Sequence, residues 1–406
     1  MDHTILLGDV LAVCRDLPDN SCDACFCDPP YGLSFMGKKW DYDVPSTELW
    51  SEVFRVLKPG APLIAFGGTR TYHRMVVRIE DAGFEIRDCL AWMYGSGFPK
   101  SLNVSKAIDA KAGAKREVVG RKVYGDGHVQ QSSESIGFGG CDPSADTRAI
   151  TAPSTPLAQQ WDGYGTALKP AFEPAVLARK PLEGTVANNV AKWGCGALAI
   201  DACRIEGPKP TTTRGAGGQH GSFSPLKAQG RIEDDGKGRW PANVMLDEDA
   251  GAALDAQSGN RPGGGTVKTT KQGGVLTWSF GNVGAEKGST LPNGPTYTDS
   301  GGASRFYYCA KVSKAEREAG CEALGDSEGK ARNHHPTLKP IALTRWLASL
   351  IKPPTGDATL LVPFSGAGSE MIGAMQAGWP SVVGIERDAA YVAIAKARIK
   401  HAKTKA

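Results

Sequence analysis

The chain has 406 residues and a formal net charge of +4. That length accommodates two or three domains, and so small a positive excess excludes a protein that works through a global basic field. No segment has the apolar length of a membrane span, Met1-Asp-His-Thr opens no basic-then-apolar leader, and ten cysteines without framework spacing point to reduced thiols, so a cytoplasmic location is expected.

In chain order, residues 4–7 read as a short strand ending at Gly8-Asp9, with a helical run to Leu17. Residues 24–27 form an apolar strand closed by Asp28-Pro29-Pro30-Tyr31. Residues 46–57 carry apolar side chains at helical spacing and stop at Lys58-Pro59-Gly60. A buried strand at 62–66, a helix at 72–81 and a strand at 84–93 follow. From 120 to 166, and again from 207 to 304, the chain is dense in Gly, Ser, Thr and Pro. That composition gives loops and short strands, or a mobile insert, instead of a large core. Residues 193–201 and 239–245 are more structured islands in this part of the chain. Elements at 343–351, 359–363, 369–377, 381–385 and 389–399 resume the alternation, which implies an α/β fold with a parallel sheet covered by helices on both faces.

Two motifs carry chemistry. The double proline after Asp28 leaves a carboxylate, the Pro29 carbonyl and the Tyr31 ring together at a strand's carboxyl end, where ligands bind in open α/β sheets. A carboxylate and a carbonyl accept both hydrogens of an exocyclic amino group while an aromatic ring stacks on its base, so an adenine or cytosine amino group is the expected target. An ordinary Pro-Pro turn is the alternative. The second motif is strand, glycine turn, helix, strand and acid, from Thr359 through Gly366 and Gly368 to Glu386. The glycines let backbone approach a ligand, and a carboxylate twenty residues on holds ribose hydroxyls. Asp9 also reaches a strand's carboxyl end, with helix capping as its alternative role.

Asp28-Pro-Pro-Tyr31, His335-Pro-Thr-Leu-Lys-Pro340, Phe364-Ser-Gly-Ala-Gly368 and Gly384-Ile-Glu-Arg-Asp-Ala-Ala-Tyr391 together resemble the amino-group DNA methyltransferases that use S-adenosylmethionine. The catalytic motif precedes the cofactor motif, which is similar to the permuted beta-class order, and the Gly-rich inserts resemble those of phage and prophage enzymes. The resemblance covers residues 1–110 and 305–400, and 171–180 is similar to the family's late core hairpin. It implies a Rossmann-like class I methyltransferase fold with circularly permuted motifs and an inserted, irregular target-recognition region. Its implied divisions are a catalytic half (1–119), a Gly/Ser-rich insert (120–166), the hairpin (167–182), a target-recognition region (183–310) and a cofactor-binding half (311–406).

By the same resemblance, Asp28, Pro29, Pro30 and Tyr31 are catalytic. Asp9, Thr337, Lys339, Phe364, Ser365, Gly366, Gly368, Ser369, Glu386 and Arg387 bind S-adenosylmethionine. The implied activity is site-specific methylation of the adenine N6 amino group in double-stranded DNA, with the base flipped out of the duplex; a net charge of +4 is compatible with reversible DNA binding. N4-methylation of cytosine is the alternative, although Ser is commoner there than Asp at the first motif position. A non-catalytic DNA-binding or anti-restriction protein is the alternative of another class. Enzymes of this arrangement often form homodimers. The chain shows no nuclease motif, so any restriction partner would be a separate polypeptide.

One position departs from the family, which usually places Asp where this chain has Val362; Glu370 and the Thr337 and Ser369 hydroxyls are the candidates to replace it. Cys22, Cys25 and Cys27 lie in and before the strand that leads to Asp28. They read as buried thiols, as do Cys195 and Cys203, with zinc as the competing assignment. His334 and His335, being adjacent, suit positioning of the Pro-Thr-Leu-Lys-Pro loop better than sharing a metal. Lys268, Lys271, Trp278, Arg305, Tyr307 and Tyr308 are the aromatic and basic residues available to touch phosphates or bases.

Overall fold

A computed structural model describes residues 2–33, 42–95, 97, 101–121, 149–208, 236–262, 299–310, 314–322, 324, 333, 335 and 338–405. Its elements are β1 (Asp2–Leu7), α1 (Val10–Asp16), β2 (Ala24–Cys27), α2 (Thr47–Val56), β3 (Pro62–Phe66), α3 (Tyr72–Asp81) and β4 (Glu85–Met93). Next come α4 (Val104–Lys111), β5 (Val118–Arg121), β6 (Ala149–Thr151), α5 (Pro156–Gln160), β7 (Phe172–Arg179), α6 (Val186–Trp193), β8 (Val244–Asp247) and α7 (Glu248–Ser258). The chain ends with β9 (Arg261–Pro262), β10 (Ser300–Gly301), β11 (Tyr308–Ala310), α8 (Ile341–Leu350), β12 (Thr359–Pro363), α9 (Ser369–Gln376), β13 (Ser381–Glu386) and α10 (Ala389–Lys405).

Two compact units divide the chain. The larger joins residues 1–29, 45–95 and 173–406, and the smaller joins 30–44 with 96–172. The larger is built on a nine-stranded sheet of order β1-β13-β12-β2-β3-β7-β4-β8-β11. From β1 to β3 every neighbouring pair is parallel, whereas β7 runs antiparallel to β3. This is the parallel-rich α/β sheet expected of the alternating pattern. All four residues of β2 and all five of β3 are buried, because helices cover both faces of a parallel sheet and its strands are then apolar throughout. Residues 171–180 supply one strand, β7, between β3 and β4. The low-complexity region contributes more to the core than its composition indicates, since β8 and β11 extend the sheet in parallel beyond β4.

Local chemistry fixes the ends. Ser46 caps α2 by accepting the Leu49 N–H at 3.3 Å, and Leu49, Trp50, Val53 and Val56 line its buried stripe. Buried Asp23 pairs with Lys58 at 2.6 Å and accepts the Thr359 N–H at 2.8 Å, tying the start of β2 to the start of β12. In the smaller unit, Asp109 is fully buried at the end of α4, where it accepts from Arg116 at 2.7 Å and from the N–H groups of Ser154 and Thr155. Helices α8 and α9 meet at a close crossing in which Thr344 donates its hydroxyl to the Ser369 carbonyl at 3.1 Å.

Gly373 makes that crossing possible, because a Cβ there would lie 2.6 Å from the Arg345 nitrogen and would overlap Thr344 as well. Gly373→Ala is therefore expected to lower unfolding stability by about 1–3 kcal/mol through overpacking. Urea denaturation of the two proteins, with an unchanged slope and a shifted midpoint, checks it.

Candidate active site

At its buried carboxyl end β2 releases the chain at Asp28 and Pro29; Pro29 is buried and Asp28 half-buried. The Lys339 ammonium lies 2.6 Å from Asp28 Oδ2 and 3.1 Å from Glu173 Oε2, and 4.7 Å above the centre of the Phe66 ring. Three strands bring these partners together. Asp28 follows β2, Phe66 ends β3, and Glu173 stands at the amino end of β7, which reaches the same edge because it runs the other way. Burial works against the Lys339 charge, but Asp28 and Glu173 outweigh it and hold its pKa above the ordinary lysine value.

Glu370, buried in the first turn of α9, belongs to the same electrostatic group. Burial, reinforced by the Asp28 charge, pushes its carboxyl up to about 7, while Lys339 and Arg398 pull the other way. Burial of Arg398 in turn lowers its own pKa, and its guanidinium donates to the Ala367 carbonyl at 2.6 Å and the Ser369 hydroxyl at 3.2 Å. Tyr94, just past β4, has its phenol pKa raised by burial and by Glu173, so it too faces this group.

The glycine turn lies at the carboxyl end of β12, one strand from Asp28. Phe364 holds φ of 61°, a left-handed conformation that costs a non-glycine residue energy and is characteristic of functional sites. Glu386, which ends β13, is buried and accepts the Gly366 N–H at 2.9 Å and the Asp388 N–H at 2.8 Å. Burial raises its pKa against those two hydrogen bonds. Gly366 has φ of 49°, and a Cβ there would lie 2.6 Å from His335 Nε2. The space beside this glycine is thus filled by the His335 imidazole, which also packs edge-on against Tyr391 at 4.6 Å.

The expected site residues divide accordingly. Asp28, Pro29, Lys339, Phe364, Gly366, Gly368 and Glu386 gather along the carboxyl edge of the sheet. Lys339 is ion-paired to the first motif. Asp9 caps α1, accepting the Leu11 N–H at 3.0 Å. Ser365 is buried and donates to the Ile385 carbonyl at 3.2 Å, and the Ser369 hydroxyl is engaged by Arg398. Arg387 is exposed. Pro30 and Tyr31 are half-buried residues of the smaller unit. Thr337 and His334 lie outside the described residues, as do Lys268, Lys271 and Trp278.

Arg305 and Tyr308 serve the fold. Arg305 donates to Asp299 and to the carbonyls of Gly301 and Gly302, and the Tyr308 ring stacks on Trp346 at 4.9 Å while its hydroxyl donates to Ala342. Cys22, Cys25 and Cys27 are buried free thiols; burial pushes Cys22 up to about 11. Glu173, Phe66 and Tyr94 were not legible as site residues. The one available signal was a single acid entering the apolar run 174–178.

No protein-family model matches the chain. It is similar to the type II methyltransferase M.HindIII of Haemophilus influenzae, 26% identical over 154 residues that make up 37% of either protein. M.HpaI of Haemophilus parainfluenzae, also a type II methyltransferase, is 28% identical over 121 residues, 27% of this chain and 37% of that one. The chain thus spans 37% of the length of each of these curated relatives. Among solved structures, M1.HpyAVI aligns over 98% of both chains at 12% identity and a TM-score of 0.38. The PvuII DNA methyltransferase, described as cytosine-N4-specific, aligns over 98% of this chain and 86% of that one, at 12% identity and a TM-score of 0.41.

The raised Glu370 pKa has a thermodynamic consequence. Between the ordinary value of 4.5 and about 7 the folded protein keeps a proton that the unfolded chain has lost, so this group's contribution to stability falls as pH rises through that window. Glu370→Gln is expected to remove a fall on the order of 3 kcal/mol. Denaturation midpoints of both proteins from pH 4.5 to 8 measure it.

Proposed function

We propose that this protein is a site-specific DNA methyltransferase that transfers the methyl group of S-adenosylmethionine to the N6 amino group of adenine in double-stranded DNA. The observation that carries the reading is the placement of Asp28 and Glu386 on one sheet edge, separated only by β12. Two strand spacings are about 10 Å, which fits a nucleoside held at one carboxylate with its reactive end near the other.

The residues fit such a cofactor. Glu386 is a buried carboxylate whose contacts here are backbone N–H groups, and a carboxylate retains acceptor sites for ribose hydroxyls. Phe364, half-buried beside it, offers a ring to an adenine face. Asp28 and Glu173 against one ammonium leave the region net negative, which suits a sulfonium cation. S-adenosylmethionine supplies a methyl electrophile with a neutral thioether as leaving group.

An exocyclic aromatic amine is a poor nucleophile, since its lone pair is delocalised into the ring. Asp28 and the Pro29 carbonyl accept its two hydrogens and favour a more tetrahedral nitrogen with its lone pair aimed at the methyl carbon. When bound, the cofactor would supply the methyl and keep the S–C electron pair as a thioether, and the Asp28 and Glu173 carboxylates would stabilise the positive charge on the nitrogen until its proton passes to water. Tyr31 stacks on the base, flipped from the duplex because its amino group is otherwise paired. The reading places the protein with DNA in the cytoplasm. Glu370, buried one turn from the glycine loop and near Asp28 and Lys339, takes the polar role left vacant at Val362, which is itself fully buried.

Incubation with S-adenosylmethionine and unmethylated duplex DNA, followed by mass spectrometry of the nucleosides, is expected to give N6-methyladenine. Asp28→Ala is expected to reduce the single-turnover rate by at least about 10²-fold. N4-methylcytosine would retain the mechanism and change the base, and absence of any modified base across diverse DNA would sink the reading. Cofactor affinity should be unchanged in Val362→Asp; a sharp gain would mark the natural site as impaired.

A further inference from the structure

Lys339 stands in a loop segment otherwise associated with the cofactor half of the sequence, yet its ammonium is spent on Asp28 at 2.6 Å and Glu173 at 3.1 Å. Its side chain is 5% exposed, so the pair is shielded from the solvent screening that weakens surface ion pairs. A lysine pairs as a compact cation with three donors, and two carboxylates on different strands define where it sits. Glu173 anchors it from β7, and the Phe66 ring lies 4.7 Å from the ammonium. We infer that Lys339, anchored by Glu173, is a positioning residue that holds the Asp28 carboxylate fixed in orientation for the acceptor amino group, and that Glu173 acts on the reaction through it.

The charge arithmetic explains why the anchor is itself acidic. One lysine against Asp28 alone would leave a neutral pair, poorly suited to a nitrogen that becomes cationic as the methyl arrives. Adding Glu173 leaves Lys339, Asp28 and Glu173 with one net negative charge between them. Among the described residues, the charged groups near Asp28 include Lys339 from the loop before α8, Glu173 from β7, Glu370 from α9 and, beyond it, Arg398 from α10. The Tyr94 phenol after β4 faces Glu173 and Lys339. Without Lys339, Asp28 would face Glu173 and Glu370 without the ammonium that offsets them.

This inference rests on the methyltransferase reading, and its test separates the two. Single-turnover methyl transfer would be followed from pH 5 to 9 in wild type, Lys339→Met, Glu173→Gln and the double variant, with S-adenosylmethionine affinity measured by calorimetry on each. Lys339→Met is expected to move the acid limb of the rate profile upward by about one pH unit, and Glu173→Gln in that background to move it back down. Cofactor affinity in Glu173→Gln should stay within about twofold of wild type while its rate falls about tenfold. The half-exposed, isosteric Glu173→Gln keeps the test open if Lys339→Met does not fold. An active enzyme whose acid limb is unmoved in Lys339→Met, or in which Glu173→Gln weakens cofactor binding and leaves the rate alone, would overturn the positioning role only. A wild-type protein that binds cofactor and methylates no DNA would remove the methyltransferase reading, and the inference with it.

Discussion

An ammonium buried between two carboxylates, against an aromatic ring, is the interaction on which the rest of this site depends. Removing these charges from water is costly, and the cost is offset only if all three partners arrive together. Lys339, Asp28 and Glu173 come from parts of the chain separated by more than a hundred residues, so their meeting requires β2, β3, β7 and the segment before α8 to be in register. Truncating one partner strands the others, which in buried pairs costs about 3–5 kcal/mol. The site and the fold therefore share one constraint.

The geometry follows from strand direction. β1, β13, β12, β2 and β3 run parallel, so their carboxyl ends deliver Asp9, Glu386, Phe364, Asp28 and Phe66 to one edge. β7 runs against them, and so its first residues, not its last, reach that edge; Glu173 stands at the start of its strand for the same reason that Asp28 follows the end of its own. Small residues then decide how closely the elements approach. Gly366 admits His335, and Gly373 admits α8, each at a distance that a methyl group would forbid.

Charge is distributed unevenly along this edge. At the Glu386 end a buried carboxylate accepts backbone N–H groups, while at the Asp28 end Lys339 compensates two carboxylates and Glu370 is pushed toward its neutral form. These are different electrostatic solutions to burying acids within two strand spacings. One holds its carboxylate with backbone hydrogen bonds, and the other pairs carboxylates with a buried ammonium.

The apolar runs, the glycine turn and the acid that ends β13 were legible in the chain because they rest on local rules: a covered parallel strand is apolar throughout, and a tight turn needs glycine. Those rules located Asp28, Gly366 and Glu386 and the α/β alternation around them. They were silent on Glu173, whose role depends on β7 running antiparallel beside β3, and on Tyr94, which reaches the same edge from β4. The resemblance, not these rules, associated Lys339 with cofactor binding. Its partner was decided by which strand ends lie beside that segment after folding. Periodicity and turn chemistry report each element's own faces and ends, whereas the pairing of buried charges depends on which elements become neighbours, and only the tertiary structure settles that.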